Sequence, residues 1–176
     1  MQKNWYIVYT KPKHEKKVTN LLKKRKIETF CPINCIRIQG FRHSKILEEP
    51  LFRSYVFINI ANSEVFQIKH IDGVISLLYW MGKPAIIKEE EIEAIKEFTN
   101  DHQSIELEKA QVNVNDIISI RNDLAYSIES KVFSLKNKTV KIYLPSLGYV
   151  MVAKMEEESI FARETIILQN NSFSHL

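Results

Sequence analysis

Glycine is scarce in this chain, with four among 176 residues. That scarcity excludes a glycine-rich phosphate loop and the nucleotide chemistry such loops serve. Cysteine is scarcer still. Cys31 and Cys35 are too few for a disulfide framework, and a C-x-x-x-C pair without two further ligands nearby is a poor zinc site. The pair reads as two small hydrophobes in a reducing compartment. No apolar run approaches the ~20 residues a membrane helix needs. No charged-then-apolar leader opens the chain, so the expected location is cytoplasmic, with no membrane partner. The five histidines, His14, His43, His70, His102 and His175, are scattered, and none falls in a metal or nucleophile motif. Glu89, Glu90 and Glu91 look like a carboxylate cluster. At consecutive helical positions, however, they point in three directions, and acidic residues in a first turn complement the helix dipole. No catalytic residue, metal or cofactor is expected.

Positive charge is present but unevenly placed. The net charge is +4, yet residues 1–53 hold 13 Lys/Arg against 4 Asp/Glu, a net of +9, and the remainder is net −5. A basic first third on a mildly acidic remainder points to one surface that faces a polyanion.

Hydrophobic patterning gives the elements. Residues 5–10 are rich in aromatic and β-branched types and read as a first strand, broken by Lys11-Pro12-Lys13. A helix is expected over about 14–26, with Val18, Leu21 and Leu22 at i, i+3, i+4 as its buried stripe and lysines elsewhere. A second strand is expected over 28–39, with Pro32 where an edge or bulge is tolerated, followed by the tip G-F-R-H-S-K over 40–45. The organising stretch is 48–60, E-E-P-L-F-R-S-Y-V-F-I-N-I. Pro50 starts it as a loop, and it then becomes a strand with Tyr55, Phe57 and Asn59 on one side and Val56, Ile58 and Ile60 on the other. Both faces are apolar for most of the run. One should meet helices of its own domain, and the other, with Phe52 at its mouth, should be free for something else. A short helix capped by Asn62 or Ser63, a fourth strand over 74–80, and a helix with the stripe Ile92, Ile95 and Phe98 follow. The order β-α-β-β-α-β-α gives an α+β, ferredoxin-like sandwich with helices on one face of an antiparallel sheet.

Residues 100–111 are polar, without strand alternation, and read as a linker. Beyond them, 117–121, 128–135, 139–144 and 149–155 alternate as short strands, the pattern of a small barrel. The domain expectation is therefore 1–99, a linker over 100–111, a barrel over 112–157, and a partly disordered tail over 158–176.

Pro50-Leu51-Phe52-Arg53-Ser54-Tyr55-Val56-Phe57 resembles the signature of the NusG family of transcription elongation factors, roughly P-L-F-x-x-Y-hydrophobic-F. Trp5-Tyr6-Ile7-Val8-Tyr9 and Gly82-Lys83-Pro84-Ala85-Ile86-Ile87 match the same family in order. The likeness is greatest to its specialised, operon-specific paralogues of the RfaH and UpxY type. It implies a polymerase-binding NGN-type domain followed by a KOW-like barrel, which Pro145-Ser146-Leu147-Gly148 and the strand after it also resemble. A departure is the glycine usual after the first KOW strand, absent from Arg121-Asn122-Asp123-Leu124-Ala125.

By that resemblance, Tyr9, Phe52, Arg53, Tyr55 and Phe57, with Met81 and Ile92 near the edge, would grip the clamp helices of the largest RNA polymerase subunit. Lys11, Lys13, His14 and Lys17 on the first helix, with Arg42, His43 and Lys45 on the tip, could meet phosphates of the non-template DNA strand, and Phe41 could stack on a base. The barrel would recruit a second partner such as a small-subunit ribosomal protein. The expected protein is a monomer. A different class, a stand-alone RNA-binding or ribosome-associated KOW protein, stays open on sequence alone.

Overall fold

The computed structural model describes residues 2–40, 43–110, 131–132 and 139–154. In chain order these form β1 (Lys3–Thr10), α1 (Glu15–Lys24), β2 (Glu28–Phe30), β3 (Ile33–Gln39), β4 (Ser44–Pro50), β5 (Tyr55–Ala61), a 3-10 turn (Asn62–Glu64) and α2 (Val65–Ile68). Then come β6 (Val74–Leu77), β7 (Tyr79–Trp80), β8 (Lys83–Pro84), β9 (Ile86–Ile87), α3 (Glu89–Asp101), β10 (Glu106–Lys109), β11 (Lys131–Val132), β12 (Thr139–Leu144) and β13 (Tyr149–Lys154). The class is mixed α and β, with few helices and several sheets.

The first sheet runs β2-β5-β1-β6, with β9 also paired to β1, and every pairing is antiparallel. β1 and β5 form its centre, in register from Lys3 opposite Ala61 to Tyr9 opposite Tyr55. Because side chains alternate along a strand, this register sorts the sheet into two faces. Tyr6, Val8, Val56, Ile58 and Ile60 point to one face, where they pack with Val18 and Leu22 of α1 and Val65 and Ile68 of α2. Trp5, Ile7 and Phe57 point to the other, where they pack with Ile92, Ile95 and Phe98 of α3. α3 thus lies across the sheet from α1 and α2, not beside them as the helices-on-one-face expectation had it. The stripe of α3 is apolar enough to need a cover, and the α1 and α2 side is already filled.

The second sheet runs β10-β13-β12-β11. In β12, Val140, Ile142 and Leu144 are buried and alternate with half-buried Thr139, Lys141 and Tyr143. This sheet does not stand apart. Val140, Ile142, Leu144 and Met151 belong to the same continuous core as Trp5, Ile7, Phe57 and α3.

Three local differences from the sequence reading have physical causes. The strand expected over 28–39 divides into β2 and β3. Pro32 has no N–H for a ladder, and its carbonyl instead accepts from the Leu51 N–H at 2.8 Å. β3 then leaves the main sheet and pairs only with β4, as a two-stranded ribbon. The fourth strand stops at Leu77; Tyr79 and Trp80 pair with Pro84 and Lys83 in a hairpin whose turn residues Met81 and Gly82 have φ of 49° and 78°, the two-residue turn that favours positive φ. The polar segment expected as a linker over 100–111 carries the last two residues of α3 and all of β10. The expected strand over 117–121, most of that over 128–135, and the tail over 158–176 lie outside the described residues.

Candidate functional site

The loop between β4 and β5 is held from three sides. The Ser54 carbonyl accepts from the Thr10 N–H at 2.8 Å, and the Tyr55 N–H donates to the Phe52 carbonyl at 3.2 Å. The third tie comes from α1: Glu15 Oε1 accepts from the Ser54 N–H at 2.6 Å. Ser54 sits at φ 63°, a left-handed conformation a side-chain-bearing residue holds only when its surroundings impose it. Glu15 is 4 % exposed despite its charge. From the sequence it reads as an acidic residue in a helix's first turn, and nothing in the local pattern announces that it reaches 39 residues along the chain to the loop.

This loop opens onto a hollow of about 500 Å³ whose lining includes Tyr9, Asn34, Phe52, Arg53, Tyr55, Leu107 and Tyr149. Tyr9 and Tyr55, opposite each other across β1 and β5, meet edge to face at 6.1 Å. Phe52 meets Phe57 edge to face at 5.6 Å and Tyr149 of β13 edge to face at 6.1 Å. Burial pushes the Tyr55 phenol above its ordinary pKa, with Tyr149 and then Tyr9 adding to the effect. Arg53 is largely exposed, its guanidinium 3.7 Å from Glu49.

The hollow therefore gathers four of the seven residues expected at a docking site: Tyr9, Phe52, Arg53 and Tyr55. Tyr9 is exposed and Tyr55 half-buried, but Phe52 is only 3 % exposed. The free face anticipated behind Phe52 is in fact covered, by α3 and by the C-terminal strands, with Tyr149 lying on Phe52. Phe57 and Ile92 are wholly interior and have no surface to offer a partner. Phe57 supports the hollow through its contact with Phe52. Met81 is 89 % exposed, at the hairpin tip between β7 and β8, and does not line the hollow.

The basic residues lie elsewhere. Lys11, Lys13 and Lys17 are exposed and His14 half-buried at the start of α1. Lys17 pairs with Asp72 at 2.7 Å, and the Lys17 hydrogen bond and charge, helped by Lys11 and His14, hold the Asp72 carboxyl below the usual range. His43 and Lys45 are exposed on the β3–β4 ribbon; Phe41 and Arg42 lie outside the described residues. Among the described residues there is no cluster of three or more His, Cys, Asp or Glu fit to hold a metal, and no helix long and apolar enough to cross a membrane. Cys31 is a poor nucleophile, its thiol pushed up to about 11 chiefly by burial.

The model of the family described as "Transcription termination factor nusG" matches residues 3–96, more than half of the chain, including the whole of the first sheet and Ile92 and Ile95 of α3. The chain belongs to the NusG family. Relatives include the transcription termination/antitermination protein NusG of Streptococcus pyogenes serotypes M3 and M1, each 24% identical over 168 residues, covering 88% of this chain and 93% of the relative. A solved structure described as "Domain interaction in Thermotoga maritima NusG" is 19% identical, covers 89% of this chain and 99% of that one, and superposes with a TM-score of 0.47. As a NusG-family member the chain is a non-enzymatic transcription termination/antitermination factor, one of a class that works with RNA polymerase.

Proposed function

We propose that this chain is a specialised, operon-specific NusG-type antiterminator, which docks on the polymerase clamp helices and touches the non-template DNA strand to suppress pausing and termination. Residues 1–99 are then the polymerase-binding domain, and the second sheet belongs to a KOW-like barrel open to a partner such as a small-subunit ribosomal protein. The setting is cytoplasmic and the working unit a monomer. The observation that carries this reading is the convergence of Tyr9, Phe52, Arg53 and Tyr55 at one end of the sheet, on a loop braced by Glu15. Burying two or three such aromatics, at roughly 1.5–3 kcal/mol each, gives enough for micromolar association after its entropic cost. The lysines at the start of α1, with His43 and Lys45 of the β3–β4 ribbon, supply the cationic surface, and each single-strand phosphate neutralised adds about −0.7 to the slope of log K against log salt.

The covered state of Phe52 adds a condition. Docking on this hollow requires Tyr149 and the strands behind it to give way. The test is retention of core RNA polymerase by the full chain. Loss of retention with Phe52→Ala and Tyr55→Ala supports the reading; undiminished retention, or retention of ribosomes or RNA only, overturns it.

A further inference from the structure

The chain has two tryptophans, and their surroundings are opposite. Trp5 is 2 % exposed, its indole N–H donating to Glu89 Oε2 at 2.7 Å. Trp80 is 74 % exposed on the β7–β8 hairpin, beside exposed Tyr79. Large rings left in water on a projecting element mark a contact surface.

The hairpin is built to hold them there. It leaves the first sheet between β6 and β9, where the Leu78 N–H donates to the Ile7 carbonyl and the Ala85 N–H to the Leu78 carbonyl, each at 2.8 Å. Beyond that closure, β7 and β8 pair only with each other among the described residues, across the two-residue turn at Met81 and Gly82. Directly opposed residues of an antiparallel pair share a face, so Trp80 stands with Lys83 on one face and Tyr79 with Pro84 on the other. The Tyr79 ring has a cation of its own. Lys69, at the end of α2, places its ammonium 5.7 Å from the ring centre. Each exposed ring is thus accompanied by an exposed lysine.

A ring with a cation, given twice on a stiff ribbon, matches a polymer that alternates π faces with negative charge. Single-stranded nucleic acid is such a polymer. The hairpin is also continuous with the cationic start of α1. Lys17 pairs with Asp72, and the Lys11 N–H donates to the Gly73 carbonyl at 2.9 Å, just before β6 begins. The four residues of β6 then span roughly 13 Å toward Tyr79.

We propose that the β7–β8 hairpin is a base-stacking site for single-stranded DNA, with Trp80 and Tyr79 receiving bases and Lys83 and Lys69 meeting the phosphates between them. This rests on the non-template-strand reading above and extends it: a strand that meets the lysines of α1 continues along β6 to the hairpin. Every base has a π face, so this contact adds affinity without choosing a sequence.

Trp80 is its own probe, because Trp5 is buried and gives a constant background. The full-length chain is titrated with a mixed-sequence single-stranded deoxyoligonucleotide at several salt concentrations. Tryptophan emission reads stacking, and anisotropy of the labelled oligonucleotide reads affinity. The expected result is quenched emission in the wild type. Trp80→Phe keeps the affinity and loses the quenching. Trp80→Ala binds roughly 5- to 150-fold more weakly with an unchanged salt slope, whereas Lys83→Ala flattens the slope of log K against log salt by about 0.7. Binding without quenching, or equal losses in Trp80→Phe and Trp80→Ala, overturns the stacking site. Quenching by RNA of the same sequence but not by DNA overturns it too. So does a blue shift of Trp80 on phosphatidylcholine–phosphatidylserine vesicles with no response to DNA, which would assign the tip to a lipid surface. Lys11→Ala combined with Lys17→Ala separates the two readings. Binding that this pair abolishes, with Trp80 silent throughout, keeps the DNA surface of α1 and sinks the hairpin; no DNA binding at any salt sinks both.

Discussion

Glu15 offers a direct test of how the loop between β4 and β5 is built. Its carboxylate receives the Ser54 N–H at 2.6 Å from the first turn of α1 and is almost wholly buried. A hydrogen bond to a charged group contributes about 1.5–3 kcal/mol net. Its position at the helix N-terminus adds about 0.3–1 kcal/mol. Glu15→Ala removes both and leaves the Ser54 N–H without its acceptor at a strained φ of 63°. For a chain of this size each kcal/mol moves Tm by about 2–4 °C, so Glu15→Ala should melt roughly 4–16 °C lower. Glu15→Gln keeps an oxygen at the same place without its charge and should lose about half as much. The neighbouring Lys16 is exposed, and Lys16→Ala should stay within about 0.5 kcal/mol of wild type. Calorimetry gives the melting order, and amide exchange over residues 51–55 shows whether the loss is local to the loop. On the docking reading, polymerase retention falls in the same order. If Glu15→Ala melts with Lys16→Ala, or if its loop exchanges as slowly as wild type, the brace contributes nothing and the account of the loop is wrong.

Phe57 is fully buried between Phe52, Phe30 and α3, and Phe57→Ala should cost about 3–5 kcal/mol, read as a lower urea midpoint with unchanged slope. Gly73 has φ +92°, and a Cβ there would sit 2.9 Å from Val18 Cγ2 and 3.3 Å from His14 Cδ2; Gly73→Ala should destabilise by about 1–3 kcal/mol and loosen α1, seen as faster exchange over residues 15–24. The Tyr55 phenol titrates above its ordinary 10.0, held neutral first by burial and then by Tyr149. A folded-state pKa that is raised gives stability present below the unfolded value and lost as pH rises through the folded one, so the covered hollow should weaken above pH ~10. Absorbance titration at the phenolate band should show one late-titrating tyrosine, and Tyr149→Ala should move it back toward the ordinary value; no movement would mean that the second sheet does not cover it.

The centre of the fold was legible because it depends on short-range pattern. Tyr55 and Phe57 fall on one side of the strand and Val56, Ile58 and Ile60 on the other, as the alternation predicts, but the side expected to stay free is covered as well. What covers the second side was not legible. The stripe Ile92, Ile95 and Phe98 announces a buried face without saying which surface buries it, and β12's alternation equally well suits a barrel standing alone. The polar run over 100–111 misled for the same reason. Glu106 and Glu108 are exposed on β10 with Leu107 half-buried between them, a strand defined by its pairing with β13 and not by its own residues. That Phe52 and Tyr55 come together at the hollow could be anticipated because their motif is contiguous. Glu15, Asn34, Glu91 and Ser146 were missed because each acts through a partner at least 39 residues away in sequence.

These missed residues share a physical role that bears on how an apolar hollow comes to be covered by the chain's own second sheet. An exposed aromatic hollow invites non-specific association, and covering it with the chain's own second sheet removes that hazard. Apolar cover alone has no preferred register, since hydrophobic contact is non-directional. Directional groups must set the position, and they can do so at small net cost only where each is fully satisfied. Glu91 with Ser146 and Asn34 with Ile105 meet that requirement, the first at the turn between β12 and β13 and the second where the chain passes from one sheet to the other. The apolar core between them supplies most of the adhesion, and the polar pairs decide where it is applied.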